Sequence, residues 1–249
     1  LLKPMKYGLF SGGKKIRSKI LIDVGKIFNV NYKSLISLGA AVECIHSYSL
    51  IHDDLPIMDN DDLRRGKLST HKKFGESTAV LAGNSLLTLA FEIISDKKLK
   101  INANLKTKLI NQLSKSSGHL GIAGGQYLDL NYENKKVAYF KVINMQIKKT
   151  GELFSFCCVA PAIIKKKKFK VIKDLNYIGS QIGLLFQFTD DLIDYKGDSK
   201  LAGKRTKKDI KKGKATLINL LKYKKSIKYL YNLQNKIIFK IEKYGPKTK

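Results

Sequence analysis

The sequence predicts one all-α domain, on three observations. Several long segments carry apolar residues at helical period, and no run alternates at period two between turn residues. Only four prolines occur in 249 residues, so those segments are rarely interrupted. No internal repeat, low-complexity linker or break in composition divides the chain, so a single domain over 1–249 with mostly short connections is expected.

Taken in order, Gly8 to Gly13 reads as a glycine-containing loop leading into Lys14-Lys15-Ile16-Arg17, where a helix begins. A second helix is expected over 34–55, with Leu35, Leu38, Val42 and Ile45 on its apolar face. Pro56 ends or bends it, because proline lacks the N–H and disfavours helical geometry in the residue before it. Residues 77–95 form a helix with almost no charge, which is either central to a bundle or part of a subunit interface. A further helix is expected over 103–130, ending in Gly124-Gly125-Gln126-Tyr127-Leu128-Asp129. The segment 137–164 carries Lys149-Thr150-Gly151 in its middle, and the lysine run 165–168 is a solvated turn. Residues 172–195 form the helix that carries a second group of acids, and the tail from Lys204 onward is basic, with turn-like Gly203 and Gly213.

The formal charge is +28, from 48 basic and 20 acidic residues. Nucleic-acid binding is the first class this suggests, but 44 of the 48 are lysines spread along the whole chain. Arginine, the better reader of phosphates and bases, occurs only at Arg17, Arg64, Arg65 and Arg205. A solvated lysine surface is therefore the expectation, and nucleic acid is not an expected partner. Cys44, Cys157 and Cys158 lie in apolar stretches without disulfide parity or zinc spacing, which reads as reduced core thiols in a cytoplasmic protein. No stretch reaches the roughly 18 charge-free apolar residues of a membrane span, so no stable membrane insertion is expected.

Chemistry concentrates in two places. Asp53, Asp54, Asp59, Asp61 and Asp62 fall within ten residues and are followed at once by Arg64 and Arg65. Asp190, Asp191, Asp194 and Asp198 form a second cluster, so that nine of the fourteen aspartates sit in two short stretches of a basic chain. On a helix Asp190 and Asp194 share a face one turn apart, and like charges there repel unless something neutralises them. His46, Ser49 and Asp53 likewise share one face. Carboxylates with no cysteine and few histidines nearby suit Mg²⁺, which takes hard oxygen ligands and completes its shell with water and substrate phosphate. One Mg²⁺–diphosphate site with a carboxylate wall on each side follows. Gly12-Gly13-Lys14-Lys15-Ile16-Arg17 adds backbone amides and two cations three residues apart, a clamp suited to a diphosphate. Neither a Ser-His-Asp nor a Cys-His arrangement is present.

These motifs together resemble the trans-isoprenyl diphosphate (polyprenyl) synthases, in particular the bacterial short-chain farnesyl diphosphate synthases. The likeness runs from Gly12 to Thr216. It comprises Gly12-Gly13-Lys14-x-x-Arg17; Glu43 and His46 through Asp53-Asp54-x4-Asp59 to Leu63-Arg64-Arg65-Gly66; His71-x-x-Phe74-Gly75; Gly124-Gly125-Gln126-x-x-Asp129; Lys149-Thr150-Gly151; Gly183-x-x-Phe186-Gln187-x-x-Asp190-Asp191-x-x-Asp194; and Gly203-Lys204, Asp209 and Gly213-Lys214-x-Thr216.

The resemblance implies a single-domain antiparallel helical bundle of the isoprenoid synthase type around a central cavity, truncated at both ends relative to typical members. Asp53, Asp54, Asp59, Asp190 and Asp194 would hold Mg²⁺, three ions with substrate bound, with Mn²⁺ able to substitute, and Asp191 would support them. Arg64, Lys149, Thr150, Gln187, Lys204 and Lys214 would grip the allylic diphosphate. Lys14, Arg17, His46 and Arg65 would grip isopentenyl diphosphate. The implied reaction is ionisation of the allylic diphosphate, 1′-4 condensation and proton loss, with Asp53, Asp59, Asp190, Arg64, Lys149 and Lys204 as its catalytic groups. Tyr48, at the fifth position before Asp53, and Ser49 beside it would floor the pocket and stop the product at farnesyl diphosphate, with geranylgeranyl diphosphate as the alternative. A homodimer is implied by the likeness and by the uncharged helix. An inert partner subunit would have lost acidic-motif residues, and none is lost. A polyanion-binding protein would need neither acidic cluster.

Overall fold

A computed structural model describes residues 1–197 and 213–245. The expected residues Lys204, Asp198, Gly203, Arg205 and Asp209 lie outside the described residues. Helices dominate: α1 (Leu2–Leu9), α2 (Ile16–Ile27), α3 (Tyr32–Asp53), α4 (Thr70–Phe74), α5 (Glu76–Ser95), α6 (Ala103–Ser117), α7 (Ile122–Asn131), α8 (Tyr139–Gln146), α9 (Glu152–Ile164), α10 (Phe169–Lys196), α11 (Leu217–Leu221) and α12 (Tyr223–Glu242). Two antiparallel two-residue strands, β1 (Leu63–Arg64) and β2 (Lys67–Leu68), form a small hairpin that the period-two search could not reveal, being too short to alternate.

Helix α3 begins where Asn31 accepts a hydrogen bond from the Ser34 amide and ends before Pro56, as the sequence implies. Leu35, Leu38, Val42 and Ile45 are fully buried against α2 and α5. They belong to the main core, which also takes in Leu86, Ala90 and Ile94 of α5, Leu109 and Leu113 of α6 and Phe156 of α9. A second cluster joins Val142 and Met145 of α8, Leu184 and Phe188 of α10, Leu217 and Ile218 of α11, and Leu233 and Ile237 of α12. Between the two clusters lies the space that α3, α7, α9 and α10 surround.

By length and mean hydropathy α3 and α5 could each cross a bilayer, but Glu43 and Glu92 interrupt them, so neither holds 18 charge-free residues. In α3, 67% of the apolar window is buried in the bundle, so its apolarity is that of a core helix. In α5 only 33% is buried, and Val80 and Leu81 face outward.

Four segments differ from their expected form: α1 takes in Gly8 of the expected loop, the expected basic tail carries the 20-residue helix α12, and two helical segments are interrupted. The helix over 103–130 breaks at Gly118 and Gly121, whose ψ angles of −151° and −128° are non-helical. The segment 137–164 is not one regular helix: five residues, Ile147–Gly151, wind as a π turn between α8 and α9. That turn places Lys149 and Thr150 on the cavity side, in line with the tendency of π bulges to sit at functional sites. Close approach supports it from both sides. A Cβ on Gly183 of α10 would lie 2.5 Å from the Gly151 Cα, and one on Gly125 of α7 would overlap the Lys149 backbone. Only glycine permits these contacts.

Candidate active site

A cavity of about 870 Å³ opens among α2, α3, α7, α9 and α10. Its lining includes Lys14, Arg17, His46, Ser49, Asp53, Asp59, Arg64, Arg65, Lys149, Thr150, Gln187, Asp190, Asp194 and Lys214. Residues separated by up to 200 positions in the chain, the two acidic clusters and both basic motifs, therefore meet in one place.

The first acid run divides its labour. Asp53, at the last turn of α3, and Asp59 face the cavity, held together by the Asp59 amide donating to the Asp53 carbonyl at 2.8 Å. Burial pushes the Asp53 carboxyl up to about 6, with Asp59 adding to the rise and Lys149, Arg64 and Lys214 opposing it. Asp54, expected among the metal ligands, is 2% exposed and outside the cavity lining. Its two oxygens accept from Arg64 Nε at 3.0 and 3.2 Å, and Arg64 Nη2 also bonds to it. Asp61 approaches the same guanidinium at 3.6 Å. Asp54 thus aims Arg64, while Asp62 pairs outward with Lys72 at 3.0 Å.

Arg64 and Arg65 sit on the hairpin. Its two-residue loop, Arg65-Gly66, has φ of 54° and 75°, the left-handed pair of a type I′ turn. Arginine is a costly residue at positive φ, and what it gains here is direction. The Arg65 guanidinium turns onto the Gly12 carbonyl and sits against Gly13, where a Cβ would lie 2.5 Å from Cζ. Tyr7 of α1 steadies the hairpin by donating to the Leu68 carbonyl at 2.7 Å.

Arg17 stands over the Phe154 ring at 4.6 Å and near Phe186 at 5.6 Å. Its Nη1 lies 3.3 Å from His46 Nε2, while its buried Nε has no partner among the described residues. His46 is held well below its ordinary value by burial and then by Arg17, Arg65, Lys15 and Arg64. The ring is neutral and accepts from Arg17. Glu43, which the sequence reading left without a role, accepts from the Ser18 amide at 3.3 Å and pairs with Lys15 at 3.3 Å, anchoring the start of α2. The cavity therefore has a cation cluster with few acids of its own, suited to an anion.

On the other side Asp129 of α7 gathers two lysines, Lys149 at 2.6 Å and Lys214 at 3.3 Å. Lys214 also reaches Asp59 at 2.9 Å. Burial raises the Asp129 carboxyl, but Lys149 and Lys214 outweigh it and hold the group below the usual carboxylate range. On α10, Asp194 is buried and Asp190 exposed at the cavity mouth. Asp191 accepts from Gln187 Nε2 and Gln146 Nε2, both at 2.8 Å, and Thr150 donates to Gln187 Oε1 at 2.9 Å.

Tyr48 is buried in the core rather than in the cavity lining, its hydroxyl donating to the Ser117 carbonyl at 3.2 Å; Ser49 does line the cavity. Glu43, Asp129 and Gln146 are the contributors that had no assigned role. A signal existed for Gln146, which stands four residues before Thr150, and for Asp129, the one acid of its helix. Among the described residues no three His, Cys, Asp or Glu side chains converge as a ready metal cage. Asp53 and Asp59 on one side, with Asp190 and Asp194 on the other, offer hard oxygens only. They fit a cation such as Mg²⁺ that takes one or two carboxylates and completes its shell with ligand oxygens and water.

A helical fold whose carboxylate and cation motifs converge on one cavity defines an isoprenoid-type diphosphate enzyme, and the chain belongs to the polyprenyl synthetase family, whose sequence model matches residues 1–243. It is 42% identical to the farnesyl diphosphate synthase of Bacillus subtilis over 222 residues, 89% of this chain and 75% of that protein. Among solved structures it resembles an FPP/GFPP synthase from Zymomonas mobilis with a TM-score of 0.89 and 38% identity, over 99% of this chain and 84% of that one. A geranyltransferase from Helicobacter pylori, complexed with magnesium and isoprenyl diphosphate, matches with a TM-score of 0.89 and 31% identity, covering 98% and 82%.

Proposed function

We propose that the chain is a short-chain trans-prenyltransferase that condenses isopentenyl diphosphate with dimethylallyl or geranyl diphosphate to give farnesyl diphosphate. The observation that carries this reading is the shared cavity: Asp53 and Asp59 from α3 and the loop after it, and Asp190 and Asp194 from α10, border the same space as Arg17, Arg64, Arg65, Lys149 and Lys214.

Two anionic grips are available. Lys149, Thr150, Gln187, Lys214 and Arg64 hold the allylic diphosphate between the acidic walls. Lys14, Arg17, His46 and Arg65 hold isopentenyl diphosphate beside the start of α2. Asp53, Asp59, Asp190 and Asp194 would hold Mg²⁺, three ions in the loaded site, with Mn²⁺ able to replace them. Bound Mg²⁺ neutralises the allylic diphosphate, which makes it a good leaving group. The chain's fixed donors stabilise the charge that develops as the allylic C–O bond breaks. The double bond of isopentenyl diphosphate, held by the second grip, attacks the allylic cation, and the proton lost afterwards goes to the released diphosphate. Neutral His46 adds no charge to the cation cluster and, by accepting from Arg17 Nη1, orients that guanidinium towards an anion.

Tyr48, Ser49 and the core beneath them set the floor that favours a fifteen-carbon product. The outward Val80 and Leu81 of α5 support a homodimer through that helix. A cytoplasmic location without stable membrane insertion, and one synthase domain across the chain, complete the reading. The test is to incubate the protein with isopentenyl and geranyl diphosphates, with and without Mg²⁺, and size the products. Farnesyl diphosphate formed only with the metal supports the reading; no diphosphate release would overturn it.

A further inference from the structure

Gln146 is the last residue of α8, immediately before the π turn that carries Lys149 and Thr150. It lines the cavity yet is only 3% exposed. Its Nε2 donates to Asp191 Oδ2 at 2.8 Å, while Gln187 Nε2 donates to Asp191 Oδ1 at the same distance. Asp191 is thereby clasped by two neutral amides, one from its own helix and one from the element before the π turn. The orientation of the Gln146 amide follows from its partner, since a carboxylate only accepts and the nitrogen must face it. That leaves Oε1 as a buried acceptor, and it has no partner among the described residues. An unmet buried acceptor is costly, so one that lines a ligand cavity points to a donor brought by the ligand.

The chemistry of the proposed ligand narrows that donor. A diphosphate at neutral pH offers acceptors, and a prenyl chain offers neither donor nor acceptor. Water in the shell of a divalent cation is the component that carries O–H donors. Such an outer contact orients metal ligands and tunes the metal, as partners beyond the direct ligands generally do.

We propose that Gln146 is a positioning residue for the metal side of the site: its amide nitrogen fixes Asp191, and hence the set of Asp190 and Asp194 on α10, while its carbonyl oxygen accepts from a water on the bound cation. This rests on the prenyl-transfer reading. Gln146 belongs to neither diphosphate grip, so its effect falls on metal dependence and not on isopentenyl diphosphate.

The probes are Mg²⁺ and inorganic diphosphate, read by the ligand-induced rise in melting temperature, together with steady-state kinetics. In Gln146→Leu the melting rise given by Mg²⁺ plus diphosphate is expected to be at least halved, and the Mg²⁺ concentration for half-maximal rate to increase about tenfold. The KM for isopentenyl diphosphate stays within about twofold. Gln146→Glu, which sets a second carboxylate against Asp191, is expected to be worse than Leu. In an Asp191→Asn background, adding Gln146→Leu should have a smaller effect than it has in the wild type, because coupled residues are non-additive. A wild-type chain with no Mg²⁺–diphosphate response overturns the prenyl-transfer reading and this inference with it. A wild-type response that Gln146→Leu keeps in full, or a loss confined to the ligand-free melting temperature, overturns the inference alone.

Discussion

Lys214 and Asp59, 155 residues apart in the chain, meet at 2.9 Å on the wall of the cavity. Lys214 at the same time reaches Asp129, which holds Lys149. Without a ligand, Lys149 and Lys214 are thus held on carboxylates, and on the proposed function a bound diphosphate would exchange for these partners instead of creating charge in a dry cavity. This exchange avoids much of the cost of keeping unpaired charges buried.

Asp129 is expected to matter for both stability and binding. Asp129→Asn leaves Lys149 and Lys214 with one acid fewer, a loss of about 3 kcal/mol by analogy with broken buried pairs. Its folded value is lowered from the ordinary 3.8, so the contribution is present above that value and is lost as pH falls through the lower one. Urea unfolding at a series of pH values checks this: the gap between wild type and variant should narrow in acid below about 4.

Asp53 has the opposite sign. Its carboxyl rises from 3.8 to about 6, so the folded protein retains a proton that the unfolded chain has released, and metal-free stability falls as pH rises through that window. Asp53→Asn should therefore be more stable than wild type above pH 6 while losing Mg²⁺-dependent activity. Because metal competes with the proton, Mg²⁺ affinity should weaken about tenfold per pH unit below about 6 and level off above it. Calorimetric titration of Mg²⁺ with inorganic diphosphate across this range is the check.

Asp54→Ala should inactivate through Arg64, not through a lost metal ligand. The buried guanidinium would lose its bidentate partner and keep the longer 3.6 Å approach of Asp61 and the field of Asp53. A stability loss of about 3 kcal/mol is expected, with kcat lower by roughly 100-fold or more. The Mg²⁺ concentration for half-maximal rate should change little, and that measurement separates the two roles.

Gly183→Ala tests the contact between the π turn and α10, the elements that carry Thr150 and Gln187. A Cβ there meets the Gly151 Cα at 2.5 Å, backbone that cannot swing aside. Overpacking of this kind costs about 1–3 kcal/mol. Denaturation and the KM for geranyl diphosphate should both worsen, while the KM for isopentenyl diphosphate changes less.

Tyr48→Ala opens space under Ser49 if the floor lies there. Products from purified variant should shift from fifteen carbons towards twenty, and an unchanged distribution would remove Tyr48 from the floor.

Much of this was legible in the chain because the information is local. The face of α3, the stop at Pro56 and the nearly uncharged α5 follow from period and composition, and the paired acidic motifs with their cations point to one site. What was not legible depends on elements meeting in space. That Asp54 faces Arg64 while Asp53 faces the cavity follows from the turn after α3, and spacing alone treats the two as equals. The π turn at Ile147–Gly151 packs against other helices through Gly125 and Gly183, contacts that no periodicity records. Gln146 and Asp129 gain their roles from partners 45 and 85 residues away.

The central claim is that both acidic walls act on one diphosphate, and the most direct measurement is calorimetric binding of an unreactive thio analogue of geranyl diphosphate with Mg²⁺. Asp53→Asn and Asp190→Asn are each expected to weaken Mg²⁺-dependent binding by at least tenfold while leaving the weak metal-free binding in place. If either variant binds the analogue as tightly as wild type in Mg²⁺, the two clusters do not share a ligand and the account is wrong.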